Sequence, residues 1–195
     1  MSRQCLRVVL TFSSLVIGCG ALFPVVQDST LSDVVLTRIK TSKYAIVADY
    51  SSKLPDDYQV QFDPSFPPQP YNINSQTKGM YQEYFQFKSN QSNDKELGVH
   101  ITIDSFETTY REEGGLGAQL SGTHDIKRSA TIQLTVQVRM PDGSVHAQKI
   151  AGRETLGIQG ADKHGTWMAV YSSAVNKAIN KSIIMTDGFI EALAN

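Results

Sequence analysis

Cys19 is the residue of this chain whose type and position point most clearly to chemistry. Its thiol directly follows the apolar run Leu15-Val16-Ile17 and the small residue Gly18, close to the N-terminus. The second cysteine, Cys5, lies upstream of this run. If the upstream segment is removed, Cys19 is the single thiol of the mature chain, so no intramolecular disulfide can form there. Cys19 is therefore the one candidate for thiol chemistry in the predicted mature chain.

The other reactive side chains lack the patterns that catalysis or metal binding requires. The four histidines share no metal-ligand spacing; they are His100, His124, His146 and His164. His124 and Asp125 are adjacent, but adjacency in sequence does not orient an imidazole against a carboxylate. No G-x-S-x-G motif occurs, and Ser172-Ser173 lies in a predicted helix. We therefore predict that the protein is not an enzyme and holds no metal or cofactor.

The segment before Cys19 has the properties of an export signal. Arg3 and Arg7 form a short positive region, and an apolar stretch interrupted only by hydroxyl residues follows over Val8–Ile17. This stretch is well short of the roughly 20 residues that a membrane-spanning helix needs. An ordinary secretory signal, cut so that Cys19 and Ala21 occupy the small-residue positions, is the alternative, and an uncleaved anchor is the third possibility.

Leu15 through Cys19 resembles the lipobox of bacterial lipoproteins. In that family a diacylglycerol is attached to the cysteine thiol, a peptidase cuts just before the cysteine, and the freed amine is acylated, for example with palmitate. The resemblance implies a signal peptide over residues 1–18, cleavage between Gly18 and Cys19, and N-acyl and S-diacylglycerol groups on Cys19. Gly20 stands where an Asp would favour inner-membrane retention, so the family's sorting rule favours an outer-membrane anchor that faces the periplasm.

The composition is that of an exported globular domain. The whole chain has a formal net charge of −1, and removal of residues 1–18 leaves 16 basic and 19 acidic residues, a charge of −3. This balance predicts neither a nucleic-acid partner nor electrostatic binding to anionic lipid. Residues 19–30 show no sustained period and are predicted to form a tether, followed by a single domain over residues 31–195.

The first half of the domain is predicted to contain three short strands and a connector. β-Branched and aromatic residues predict strands over Val34–Ile39 and Tyr44–Ala48, and alternation predicts another over Tyr58–Phe62. Four prolines within Asp63–Tyr71 predict an extended connector, with a docking surface for a partner as the alternative.

An aromatic stripe marks the first predicted long helix, which runs from an N-cap at Ser75 to about Lys88. Met80, Tyr84 and Phe87 repeat at i, i+4 and i+7, and we predict that this face packs on the sheet. The alternative is that these three side chains wall a groove for an acyl chain or another ligand.

The second half predicts longer strands. Apolar and polar residues alternate over Val99–Ile103 and again over Thr131–Met140. We expect Thr131–Met140 to form an antiparallel hairpin with Val145–Glu154 around the turn Pro141-Asp142-Gly143-Ser144.

Glu112–Gly122 is glycine-rich, but the glycine spacing and the strand that follows exclude a phosphate loop and predict a flexible loop. Asp104 and Glu107 are a possible carboxylate pair, which we expect to lie in solvent on an edge strand.

A second helix is predicted from an N-cap at Asp162 to about Met185, where Ala174 and Ala178 would let it approach the sheet closely. Thr186-Asp187-Gly188 is expected to break it before a short terminal helix. These elements together predict the fold class α+β, as a single two-layer domain with a largely antiparallel sheet and one or two helices packed on one face.

This organisation, strongest from Val99 to Leu193, resembles the YajG-like lipoproteins. The resemblance implies a fold and a place in the cell envelope rather than an activity. It is compatible with a non-enzymatic accessory role, in which the domain binds another envelope protein at the periplasmic face of the outer membrane. The alternative is a carrier of lipid or a small ligand in an envelope transport system, and a hydrolase is a third possibility that would need histidine and carboxylate groups to converge.

Overall fold

A four-stranded sheet is the central element of the fold, as seen in a computed structural model that describes residues 29, 31–61, 67–117, 125–159 and 164–194. The strand order is β1-β4-β5-β6, where β1 is parallel to β4 and the other neighbours are antiparallel. The strands of this sheet are β1 (Ala45–Ser52), β4 (Glu96–Glu113), β5 (Asp125–Arg139) and β6 (Val145–Gln159). Two short strands, β2 (Gln59–Val60) and β3 (Gln69–Pro70), form a separate antiparallel ribbon.

The described helices pack on one face of this sheet; they are α1 (Asp33–Arg38), α2 (Ile73–Lys88) and α3 (His164–Ala194). The helix α3 covers β5 and β6, α2 contacts β1 and α3, and α1 packs on α3. Their apolar residues join the inward-facing side chains of the strands in one hydrophobic core. The predicted α+β class, with a largely antiparallel sheet and helices on one face, is confirmed.

The predicted hairpin is confirmed and extends further along both strands. Asp125 pairs with Gln159 at one end and Arg139 with Val145 at the other. Gly143 adopts a φ of 87°, a left-handed conformation that glycine adopts without steric cost, which explains its place in the turn. Along β5, alternate residues from Ala130 to Val138 are buried, so the period of two seen in the sequence places one face of the strand in the core.

The expectation of a strand over Val34–Ile39 is wrong, because most of this segment forms α1. Ser32 caps the helix by accepting a hydrogen bond from the Val35 N–H. Asp33 in the first turn and Arg38 in the last complement the helix dipole. Val35 is buried, so one contact with the core and a good cap outweigh the β propensity of this short segment.

The expected break at Thr186-Asp187-Gly188 is also wrong, because α3 continues through it to Ala194. The Thr186 hydroxyl donates a hydrogen bond to the Ser182 carbonyl one turn earlier, and Asp187 forms an ion pair with Lys88. Polar side chains can end a helix when they compete with the backbone for its hydrogen bonds. Here the side chains of Thr186 and Asp187 have partners that leave the backbone helical. The predicted N-cap at Asp162 lies outside the described residues.

The first long helix begins earlier than predicted. Its N-cap is Asn72, whose side-chain oxygen accepts a hydrogen bond from the Ser75 N–H at 3.1 Å, so Ser75 lies inside α2 instead of capping it. The strand predicted over Tyr58–Phe62 is limited to Gln59–Val60, and Phe62 lies outside the described residues. Residues 118–122 of the glycine-rich loop and residues 62–66 near the prolines also lie outside them.

Candidate functional site

The predicted attachment site at Gly18 and Cys19 lies outside the described residues, but the structure shows where the chain that follows it joins the domain. The Ser32 N–H donates a hydrogen bond to the Asn180 side-chain oxygen at 2.8 Å, and Val35 packs into the core beside α3. Residues 20–32 therefore connect Cys19 to a fixed point on α3. Thirteen residues can span at most about 45 Å.

The predicted ligand or packing face of α2 is filled by protein. Met80 and Tyr84 are fully buried, together with Tyr81, and Phe85 is nearly so. Phe87 is 54% exposed, so its assignment to this face is wrong. The buried face is rotated toward Tyr81 and Phe85, whose rings pack against Tyr84, and Phe87 in the last turn lies outside it.

Hydroxyl groups join α2 to α3 within this core. The Tyr81 hydroxyl lies 3.0 Å from Ser182 Oγ and 2.9 Å from Thr186 Oγ1, and the Tyr84 hydroxyl donates to the Asp187 carboxylate at 2.9 Å. Burial raises the pKa of both tyrosines, and the negative charge of Asp187 raises that of Tyr84 further. Both phenols therefore stay protonated and act as hydrogen-bonding links between the helices.

Lys88 is a buried charge that sequence analysis missed. Its side chain has no exposed surface, and its Nζ lies 2.8 Å from Asp187 Oδ1 and 2.5 Å from Glu191 Oε1. The Nζ also donates to the Lys40 carbonyl at 3.3 Å. The position of Lys88 four residues after Tyr84, on the same stripe as Met80, was the available signal. These contacts hold together the C-terminal ends of α2 and α3 and the segment that follows α1.

The second face of the sheet is open and polar, since none of the described helices packs on it. Its side chains come mainly from alternate residues of β4, β5 and β6 and are exposed or half-buried. At one edge, His100 Nδ1 lies 2.8 Å from Asp49 Oδ2, and His100 Nε2 lies 3.0 Å from Ser51 Oγ. Ser51, His100 and Asp49 are thus connected in the order of nucleophile, base and carboxylate that nucleophilic catalysis uses.

This arrangement lacks other parts of a hydrolytic site. The backbone N–H groups of a sheet lie in its plane and bond to neighbouring strands, so those of β1 and β4 do not point at a group standing above Ser51. Asp49 is 73% exposed, which weakens its hold on the imidazole through solvent screening. Ser51 Oγ also lies 2.9 Å from Thr102 Oγ1. The contacts fit a hydrated polar network across two strands.

Asp104 lies at an irregularity of β4 where the register shifts between Ile103 and Ser105. Its carboxylate is 2.5 Å from Lys53 Nζ and accepts a hydrogen bond from the Thr135 hydroxyl at 2.5 Å. Burial raises the pKa of Asp104, but the bonds from Lys53 and Thr135 outweigh it and lower the pKa overall. Both Asp104 and Glu107 lie on an edge stretch of β4, as expected, because the last pair between β1 and β4 is Ser52–Ile103. Glu107 is exposed, whereas the Asp104 side chain is only 15% exposed and is bonded to Lys53 and Thr135 instead of pairing with Glu107.

Neither a metal centre nor a membrane span is found in the described part of the chain. No group of three or more histidine, cysteine, aspartate or glutamate side chains converges there. None of the helices within these residues combines the length and the hydrophobicity needed to cross a bilayer. His124 is not described, and His146 lies exposed on β6.

Comparison with known proteins gives distant structural likenesses only. No family model and no curated protein matches the sequence. Among solved structures, the rare lipoprotein B of Shewanella oneidensis is 9% identical, with a TM-score of 0.41, over 75% of this chain and 96% of that one. A DUF330 protein of Xanthomonas campestris is 12% identical, with a TM-score of 0.35, over 80% of this chain and 90% of that one.

A third similar structure is a putative neuraminyllactose-binding hemagglutinin homolog from Helicobacter pylori. It is 9% identical, with a TM-score of 0.39, over 76% of this chain and 84% of that one. The solved structures similar to this chain thus include a bacterial lipoprotein. All three TM-scores lie below 0.5, so these likenesses assign no function to this chain.

Proposed function

We propose that this protein is a lipid-anchored lipoprotein of the bacterial envelope, acylated on Cys19, and that its domain binds another envelope protein at the periplasmic face of the outer membrane. The observation that carries the proposal is the sequence Leu15 to Cys19 behind a short positive region. Two or three acyl chains hold a protein on a bilayer for practical purposes permanently, since each buried CH₂ contributes about 0.8 kcal/mol.

The packing of α2 favours an accessory protein over a lipid or small-ligand carrier. A carrier built on the aromatic stripe would need Met80 and Tyr84 to wall a cavity, and both side chains are instead fully buried in the core. The Tyr84 hydroxyl is bonded to Asp187, so opening a cavity here would break that bond. Among the described residues, the open polar face of the sheet and the edges of its strands offer surface for binding.

Replacement of Cys19 by alanine tests the anchor. In cells fed an alkyne analogue of palmitate, we expect the wild-type protein to incorporate the label and sediment with membranes. The Cys19→Ala protein should lose the label and accumulate as the unprocessed precursor, because the peptidase requires the modified cysteine. Separation of inner and outer membranes then locates the wild-type protein.

The chain supplies a matched control in its other cysteine, Cys5, which lies in the segment predicted to be removed. Cys5→Ala should label and fractionate like the wild type. Equal labelling of wild type and Cys19→Ala, with both associated with membranes, would contradict the proposed anchor.

The proposal that the protein is not an enzyme is tested at Ser51, the nucleophile that the His100–Asp49 arrangement would use. We expect purified wild type and Ser51→Ala to hydrolyse p-nitrophenyl acetate at the same rate as buffer, because the described strands around Ser51 place no backbone donors for the oxyanion. Ser129→Ala, which removes another hydroxyl of the open face, serves as the control. A rate well above buffer that disappears only in Ser51→Ala would establish a hydrolase instead.

A further inference from the structure

The strand β6 forms one edge of the four-stranded sheet over its whole length. It pairs with β5 from Val145 to Gln159 on one side, and among the described residues no strand pairs with it on the other side, which we call the β6 edge. This strand is 15 residues long, well above the usual ~5–6 residues. A long sheet edge presents backbone donors and acceptors on which another extended chain can form a ladder.

A hydrogen bond at the hairpin turn shows which residues direct their backbone groups to the β6 edge. The Met140 N–H donates to the Ser144 carbonyl at 2.8 Å, so the backbone of Ser144 points toward β5. Backbone groups alternate from side to side along a strand, and the pairing of β5 with β6 runs to its end without a register shift. The N–H and carbonyl groups of Lys149, Ala151 and Arg153 therefore point away from β5, to the β6 edge.

The side chains of the same residues give the β6 edge a positive charge on the open face of the sheet. Lys149 and Arg153 are exposed, and the small residue between them, Ala151, is exposed as well. Neither cation forms an ion pair with a described residue. Lys149 lines a small pocket together with Asp104, but the Asp104 carboxylate is already paired with Lys53. Acidic side chains of a partner would complement these two cations.

The charge of the β6 edge also opposes pairing between two copies of the chain. In an antiparallel pair of β6 strands centred on Ala151, Lys149 of each copy would stand directly opposite Arg153 of the other. Moving the centre by two residues would set Lys149 against Lys149, or Arg153 against Arg153. Like charges directly opposite each other destabilise a sheet. The edge is therefore better suited to an acidic segment of another protein than to a second copy.

The helix α3 borders the β6 edge on the other face of the sheet. Lys181 of α3 forms an ion pair with Glu154 of β6 at 2.8 Å, which places this side of the helix beside the edge. Met185 follows one turn later on the same side, and 46% of its surface is exposed. Because alternate side chains of a strand point to opposite faces, every second residue of an added strand would lie on the side of α3. Apolar side chains at these positions would match Met185.

We propose that the β6 edge binds an extended segment of an envelope partner protein, in which acidic residues alternate with apolar ones, and that this segment adds to β6 as a new strand. The ladder would use the backbone of Lys149, Ala151 and Arg153, and the two cations would select acidic side chains. The apolar side chains would contact Met185. This inference deepens the proposed accessory role and rests on it for the nature of the partner. The recognition belongs to the strand-addition mode, in which main-chain bonds give affinity and side chains give specificity.

A defined peptide tests the β6 edge without knowledge of the partner. The probe is a blocked eight-residue peptide of alternating glutamate and valine, and the control probe replaces glutamate by lysine. With the full chain in detergent micelles, we expect the glutamate peptide to slow amide hydrogen exchange at Lys149, Ala151 and Arg153 at least tenfold, and the lysine peptide to have no effect. Unchanged exchange at the highest soluble concentration of the glutamate peptide would overturn the proposal.

Exchange in the free protein identifies other occupants of the β6 edge. Slow exchange of the Lys149, Ala151 and Arg153 amides without peptide, independent of protein concentration, would show that the chain itself covers the edge. Protection of these amides that increases with protein concentration would show a second copy there. Either result would overturn the proposal that a partner segment binds.

A charge reversal with a matched control tests the role of the cations. Arg153→Glu should weaken binding of the glutamate peptide about tenfold, which corresponds to about 1.4 kcal/mol. Arg139→Glu makes the same change at an exposed position of β5 that is paired with Val145, at the far end of β6, and should change binding less than twofold. Equal effects would overturn the proposed selection. Palmitate labelling at Cys19 is independent of both variants, so failure here and failure of the anchor are distinguishable.

Discussion

Gly152→Ala is expected to lower the free energy of unfolding by about 3 kcal/mol, which would reduce the melting temperature by about 10 °C for a chain of this size. Gly152 lies in β6 under α3, and a Cβ built there would overlap the Ala178 carbonyl oxygen. It would also meet the Ala178 carbonyl carbon at 2.9 Å and Ser182 Cβ at 3.0 Å. Because the first two contacts are to the backbone, relief requires movement of the whole helix.

Two helical glycines provide the controls for this measurement. Gly79 in α2 and Gly188 in α3 would gain a Cβ with no neighbour within 4 Å. Alanine at either position should raise the stability by about 0.5–1 kcal/mol, because glycine is a poor helix former. Thermal and urea unfolding of the three variants would check the signs. A Gly152→Ala protein as stable as the wild type would contradict the close approach of α3 to β6.

Lys88→Met is expected to lower the free energy of unfolding by about 2–3 kcal/mol. Removal of one partner of a buried ion pair costs about 3–5 kcal/mol, because the remaining charge lacks a counterion. Here the carboxylates left behind, Asp187 and Glu191, are 15% and 33% exposed, so water can solvate them in part. The loss should therefore fall below the full range. Methionine preserves the apolar stem and most of the volume.

The pair Lys181–Glu154, at 2.8 Å, is the matched control for Lys88 because its lysine is 54% exposed instead of buried. Lys181→Met should cost less than about 1 kcal/mol, as is usual for pairs at the surface. Urea unfolding of Lys88→Met, Asp187→Asn and the double variant gives the coupling between the two groups. Equal losses for Lys88→Met and Lys181→Met would show that the Lys88 cluster contributes no more than a surface pair.

The fold was largely predictable where a repeating pattern extended over many residues. The alternation along β5 and the turn at Pro141–Ser144 determined the hairpin, because a strand with one buried face shows its period directly. The segment 34–39 was misassigned because a six-residue helix has too few residues to show a period. Its signals were present in Ser32 and Asp33, a cap followed by an acidic first turn.

The binding features of the domain were much less predictable. Lys88 lies on an apolar stripe, and its partner Asp187 is 99 residues away in the sequence, within a segment that local propensity predicts to break the helix. Beyond Ile103, β4 lies at the edge of the sheet because β1 ends at Ser52 while β4 continues, a difference set by pairing between distant segments. Local propensity contains no information about where a neighbouring strand stops.

The length of α3 has a consequence for how the domain would meet its partner. Tyr171 packs against Tyr71 and Glu191 contacts Lys88, and the twenty residues between them span about 30 Å along the helix. The contact between Ser32 and Asn180 joins the chain to α3 about 14 Å from Tyr171, so a domain anchored at Cys19 would hold this part of its surface within a hemisphere of about 60 Å around the anchor. One binding site in that volume corresponds to a local concentration of order 1 mM. A contact too weak to persist between freely diffusing proteins would then be occupied most of the time when the partner lies within this volume.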